Sequence, residues 1–116
     1  MIGIDLIKIA RMERLIDKYP TKALEKFLHV SEIELVKKPK TAAGFWAAKE
    51  AASKALGVGI SAECNFHDIT ISKTKRGAPL LTFSSKVIKA FNIKNTSLSI
   101  THDGEYAIAV VAIEQH

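Results

Sequence analysis

A chain of 116 residues, 47% of them hydrophobic, is one domain long and too apolar to remain disordered. No apolar run approaches the roughly 20 residues of a membrane span, and the opening MIGIDLIKIARMER carries Asp5 with no small-residue cleavage site, so neither an anchor nor a secretory leader is expected. A net charge of +5 calls for an anionic partner such as nucleic acid, a phosphorylated small molecule or an acidic protein, while aromatics at only 7% argue against single-strand nucleic-acid binding.

The single cysteine, Cys64, has no disulfide or CxxC partner, which makes a cytoplasmic protein the expectation and Cys64 a core residue. In chain order, Ile2, Ile4 and Leu6 alternate with Gly3 and Asp5 and predict a short strand over residues 1–7. Aspartate is depleted from strands, so Asp5 needs a reason, although a solvent-facing edge residue would also account for it. From Lys8 to Lys18 the pattern is helical, with Ile9, Met12, Leu15 and Ile16 inward and Lys8, Arg11, Arg14 and Lys18 outward. Tyr19-Pro20 ends it. Thr21 is placed to cap a helix through Leu28, and Ser31 to cap another, Glu32–Lys37, with Glu34 at the capping-box position.

Beyond the basic turn Lys37-Lys38-Pro39-Lys40, an alanine-rich helix is predicted from Thr41 to a stop at Gly57. Its core segment is GFWAAKEAASKALG. Lys49, Glu50, Ser53 and Lys54 read as one polar stripe, with Ala48, Ala51, Ala52 and Ala55 largely on the other sides, where close packing is possible. The simplest account of Glu50 and Lys54 is a surface i,i+4 pair contributing about 0.2–0.5 kcal/mol. The second half changes grammar. Phe66–Ser72 and Leu80–Phe83 read as strands around the turn Arg76-Gly77-Ala78-Pro79, a short helix Lys86–Phe91 follows, and Asp103-Gly104-Glu105 joins strands Thr96–His102 and Tyr106–Ile113. The class expected is α+β, a single domain over residues 1–116 with a mostly antiparallel sheet packed on the alanine-rich helix.

Two acids in unusual settings, Asp5 and Glu50, are the candidate chemistry. Held together they repel unless one is protonated or a cation lies between them, and Mg²⁺ suits a carboxylate pair that leaves positions for water and phosphate oxygens. Lys49 and Lys54 would then neutralise phosphate charge. Ser99, His102 and Asp103 do not make a hydrolase triad, because no nucleophile elbow is present. Three readings stay open on the residues alone: a metal-dependent phosphate-handling transferase, a metal-dependent phosphoester hydrolase with the same acids, and a basic non-enzymatic module that binds acidic proteins or nucleic acid.

Gly3-Ile4-Asp5-Leu6-Ile7, Phe45-Trp46-Ala47-Ala48-Lys49-Glu50-Ala51 with Ser53-Lys54-Ala55-Leu56-Gly57, and Ser99-Ile100-Thr101-His102 before Tyr106-Ala107-Ile108-Ala109 together resemble the small holo-(acyl-carrier-protein) synthase family of 4'-phosphopantetheinyl transferases. The likeness runs over almost the whole chain. It implies Mg²⁺-dependent transfer of 4'-phosphopantetheine from coenzyme A to a serine of apo acyl carrier protein, with adenosine 3',5'-bisphosphate released, in fatty acid biosynthesis. By this resemblance Asp5 and Glu50 bind the metal, Lys49 and Lys54 lie near the phosphates, and His102 belongs to a coenzyme A site built between subunits of a homotrimer. Arg11 and Arg14, with Lys8, match the carrier-protein dock. Glu50 is the candidate proton acceptor with Lys54 beside it, and Lys40 with its basic neighbours is a candidate for the 3'-phosphate of coenzyme A. Neither nucleic acid nor membrane is an expected partner. The chain departs from the family at Phe45, where an arginine is common, and at Gly77-Ala78-Pro79, where the family often has Gly-Lys-Pro.

Overall fold

The computed structural model describes residues 1–116. Strand β1 (Ile2–Lys8) runs straight into helix α1 (Ile9–Lys18); two short helices, α2 (Lys22–Glu25) and α3 (Val30–Ile33), precede the long helix α4 (Pro39–Ala55). A 3₁₀ turn at Phe66–Asp68 leads into the hairpin β2 (Ile69–Lys73) and β3 (Pro79–Phe83), then α5 (Ser85–Phe91), β4 (Ile93–Asp103) and β5 (Tyr106–Gln115). The α+β class and antiparallel pairing hold. The strands divide, however, into a three-stranded sheet of order β1-β5-β4 and the separate β2–β3 pair. A side-chain bond from Thr96 Oγ1 to the Leu81 carbonyl spans the seam between β4 and β3.

Helix α4 starts at Pro39 rather than Thr41, since proline at the first helical position loses no hydrogen bond and brings its φ already set. It ends where Gly57 takes φ 80° and donates to the Lys54 carbonyl. Ala42, Ala43, Ala47, Ala48, Ala51 and Ala52 are completely buried along it. The alanines therefore serve packing inside the chain and are not free for contacts between subunits. Their methyls let the sheet lie against the helix, and the limit is reached at Gly3. A Cβ there would stand 1.9 Å from the Ala51 carbonyl oxygen and 2.6 Å from the Ala55 nitrogen, both rigid helical backbone. Gly3→Ala should therefore cost about 3 kcal/mol by prising β1 off α4, measured as a drop in the urea midpoint.

Strand parity follows from this contact. Gly3, Asp5 and Ile7 face α4, together with Val111, Ala109 and Ala107 opposite them on β5. Ile2, Ile4 and Leu6 point the other way and are 75%, 59% and 53% exposed, beside their partners Ala112, Val110 and Ile108. The regular alternation in the sequence thus puts its larger apolar side chains outside.

The short helices are less regular than expected. The predicted helix through Leu28 is helical only at Lys22–Glu25, although Phe27 and Leu28 are both buried. The predicted Ser31-capped helix instead starts two residues earlier, at Val30 with His29 as its cap, and Glu32, not Glu34, reaches back to accept from the His29 amide at 2.6 Å.

Candidate active site

The tight crossing of β1 on α4 brings Asp5 to Glu50 and Lys54 without help from another copy of the chain. Lys54 Nζ lies 2.7 Å from Asp5 Oδ1 and 3.4 Å from the Ile4 carbonyl. Burial holds the Glu50 carboxyl above its ordinary range, the Asp5 charge pushes it further up, and Lys54 and Arg11 pull it down. The bond to Asp5 raises the Lys54 ammonium in turn. Two acids, a lysine and an arginine thus share one field. Small Ala109, opposite Asp5 in the register, is the β5 neighbour on this inward face.

The donor chemistry fits a hard divalent ion. Two carboxylates and a peptide carbonyl are all oxygen, which suits Mg²⁺ better than zinc or copper, and the mutual repulsion of the acids is the condition a cation relieves. No group of three or more His, Cys, Asp or Glu side chains is placed to hold a metal ion by itself. An ion here would rely on water and substrate oxygens for the rest of its shell, as Mg²⁺ at phosphate sites does.

Lys49 is a correction. It does not share the Glu50–Lys54 stripe and does not face phosphate. Its neighbour Glu50 is about 100° away around the helix and Lys54 about 140°, while Ser53 lies within about 40°. Lys49 is fully buried, and its ammonium donates to the Phe27 carbonyl at 2.8 Å, Glu32 Oε1 at 2.8 Å and the Phe66 carbonyl at 3.0 Å. Burial pushes the Lys49 ammonium down from its ordinary value against the raising effect of Glu32. The other Glu32 oxygen accepts from the Ile71 amide at 2.7 Å. Lys49 and Glu32 therefore pin α4, the segment before α3, the 3₁₀ turn and β2 to one point. Glu32 was absent from the candidate residues; its signal was an acid three residues after His29, misread by shifting the cap to Ser31.

His102 and Lys40 do come together, through backbone. His102 Nε2 lies 2.9 Å from the Lys40 carbonyl, which leaves Nδ1 free when Nε2 carries the proton. The imidazole crosses α4 at Gly44, where a Cβ would lie 3.4 Å from Nε2 and 3.0 Å from Ile100 Cγ2. Beside them is a cavity of about 190 Å³ lined by Thr41, Phe45, Lys73, Gly77 and Pro79 together with His102. Both family departures fall at this cavity, Phe45 within it and Ala78 between two of its lining residues. Lys73 is its one cationic side chain. Sequence spacing does not pick out Lys73, which reaches the cavity because the hairpin register sets it opposite Pro79. Ser99 pairs with Val110 on the outer face while His102 pairs with Ala107 on the inner one, which rules out the triad geometrically.

Arg11 and Arg14 are exposed on α1, and Arg11 also lines a cleft of about 280 Å³ with Lys22 and Lys26 at its mouth and Phe27 and Trp46 in its wall. Phe27, Trp46 and Phe66 pack as an aromatic cluster with ring centroids 4.8–6.0 Å apart, and the buried Lys49 donates to the backbone carbonyls of two of them, Phe27 and Phe66. Cys64 is buried, and desolvation pushes its thiol up to about 11, so it is inert as expected. No helix is long and apolar enough to cross a membrane.

A family model described as the 4'-phosphopantetheinyl transferase superfamily matches residues 1–111. The holo-(acyl-carrier-protein) synthase of Sulfurimonas denitrificans is 67% identical over 114 residues, covering 98% of this chain and 94% of that protein. The enzyme of the same name from Campylobacter fetus is 59% identical over 114 residues, covering 98% and 99%. Among solved structures, Helicobacter pylori holo-(acyl-carrier-protein) synthase in complex with coenzyme A superposes with a TM-score of 0.95 at 50% identity, covering 98% of this chain and all of that one. With the motifs in place on β1, α4 and β4 and the match running nearly end to end, this chain belongs to the 4'-phosphopantetheinyl transferase superfamily.

Proposed function

We infer that this chain is a holo-(acyl-carrier-protein) synthase: it transfers 4'-phosphopantetheine from coenzyme A to a serine of apo acyl carrier protein, a step that serves fatty acid biosynthesis in the cytoplasm. The observation that carries the mechanism is the convergence of Asp5, Glu50 and Lys54 where β1 crosses α4. Asp5 and Glu50 would hold Mg²⁺, whose chemistry is to neutralise the pyrophosphate and stabilise the departing bisphosphate. The serine oxygen forms the new bond to phosphorus, the bond to the adenosine 3',5'-bisphosphate oxygen breaks, and the serine proton passes to Glu50. Lys54 supplies positive charge to the phosphate oxygens as the transition state spreads charge over them.

The nucleotide end of coenzyme A is assigned to the His102–Lys73 cavity, where the Lys73 ammonium suits the 3'-phosphate and the Lys40 backbone carbonyl holds the His102 ring. That cavity and the acids stand at opposite edges of the three-stranded sheet, on β4 and β1, with Gly44 at the cavity about 9 Å from Glu50 along α4. As the family resemblance implies, each coenzyme A site would be completed by a neighbouring copy in a homotrimer. The exposed Ile2, Ile4, Leu6 and Val110 supply an apolar face for such assembly. Light scattering should give three times the chain mass, and a monomer would remove the shared-site reading.

The basic side of α1 suits an acidic carrier protein. Arg14→Glu should weaken carrier binding on the order of tenfold and flatten its salt dependence while leaving coenzyme A affinity intact. Equal loss for both ligands would argue against docking through Arg14. The overall test is mass gain of apo carrier protein with coenzyme A, with the metal withheld and then restored. Transfer without any divalent ion would discard the metal role of Asp5 and Glu50. Product release without a carrier protein would instead mark a hydrolase.

A further inference from the structure

We propose that the Lys54 ammonium and a divalent cation are alternative occupants of one oxygen-lined position between β1 and the end of α4. Lys54 is then an internal counter-ion that must leave Asp5 before the position can be filled. The inference rests on reading Asp5 and Glu50 as metal ligands.

Three observations carry it. The ammonium is already seated on the oxygens such an ion would use, Asp5 Oδ1 at 2.7 Å and the Ile4 carbonyl at 3.4 Å. The Lys54 side chain is 52% exposed while that of Asp5 is only 14% exposed, so the lysine covers the acid from the solvent side. An ion arriving from solvent meets Lys54 first. Finally, the pairing is incomplete. Lys54 forms an ion pair with Asp5 and none with Glu50, although Asp5 and Glu50 still repel. A monovalent head on one carboxylate leaves that repulsion partly unrelieved, whereas a divalent ion can serve both acids at once. The two cations exclude each other by charge. Lys54 can give way cheaply, because its flexible four-carbon stem is mostly in water and no other protein group holds its head.

Displacement has a consequence for the reaction. Once released from Asp5, Lys54 has an unpaired charge, one turn beyond Glu50 on the same helix face, and is available to a phosphate oxygen of bound substrate. Filling the acid position and arming the lysine would be a single event.

The test is Mn²⁺ binding by calorimetry without coenzyme A, on the wild-type chain, Lys54→Gln and Asp5→Asn. Removing the competing ammonium should tighten Mn²⁺ binding about two- to fivefold, the range set by breaking one exposed ion pair. Asp5→Asn should lose binding. Unchanged or weaker binding by Lys54→Gln, with Asp5→Asn still defective, overturns the exchange but leaves the acids as metal ligands. Undiminished binding by Asp5→Asn overturns both. A second readout needs no substitution. The ¹⁵N signal of the Lys54 ammonium should shift and lose its exchange protection on adding Mg²⁺, and a signal that does not move would also overturn the exchange.

Discussion

Glu50→Gln should make the metal-free protein more stable while reducing transfer about a thousandfold or more. The two effects have one cause. Glu50 is half-buried beside Asp5, and its carboxyl is raised chiefly by burial and then by the neighbouring negative charge. Because its folded value lies above the unfolded one, the native state holds the proton more tightly. Stability must therefore fall as pH rises from the unfolded value through the raised one, and the deficit persists at neutral pH. Glutamine has the same shape and no charge, which removes that deficit. The melting temperature of the variant should rise by a few degrees at pH 7 without metal and converge on the wild type at pH 4. A variant that melts lower at pH 7 would mean that Glu50 makes unseen stabilising contacts. Full transfer activity would mean that Glu50 neither binds metal nor takes the serine proton. Sites that hold like charges together for an absent ion are expected to show this trade of stability against activity.

Lys49→Met should cost about 3–5 kcal/mol, more than any surface lysine in the chain. Lys49 and Glu32 are both fully buried, and removing one strands the other charge along with the Phe27 and Phe66 carbonyls. The loss should appear as a lower urea midpoint. Pairing it with Glu32→Gln should recover about half, because glutamine keeps an acceptor for Ile71 and carries no unpaired charge. If the double variant is as unstable as the two single losses added together, Lys49 works through packing and not through the ion pair. Because Phe27 and Phe66 frame the aromatic cluster next to the α1 cleft, a folded double variant should also show weaker carrier binding with unchanged coenzyme A affinity.

Lys49 and Lys54 illustrate why the site was only partly legible in advance. Both are lysines within one turn or so of Glu50, and a helix without a known burial direction offers either of them to the acid. Burial direction depends on what packs against α4, and that is decided at Gly3, nearly fifty residues away, where β1 meets the Ala51 carbonyl. The same long-range contact decides the faces of β1, turning Ile2, Ile4 and Leu6 outward and Asp5 and Ile7 inward. Glu32 was missed for a related reason. Its partners Lys49 and Ile71 lie 17 and 39 residues along the chain, beyond the reach of any local pattern.

Local chemistry determined what depends on neighbours in the chain: an alanine-rich helix stopped by Gly57, a hairpin turned at Gly104, an amphipathic basic α1, and the motif order that marks the superfamily. Tertiary structure alone decided which side of each element is inside, and hence that Asp5 meets Glu50 and Lys54 while Lys49 is consumed in the core. Side-chain periodicity states that an element has two faces. Only the packing of distant segments, through close approach and the cost of stranding a charge, selects the face that becomes the site.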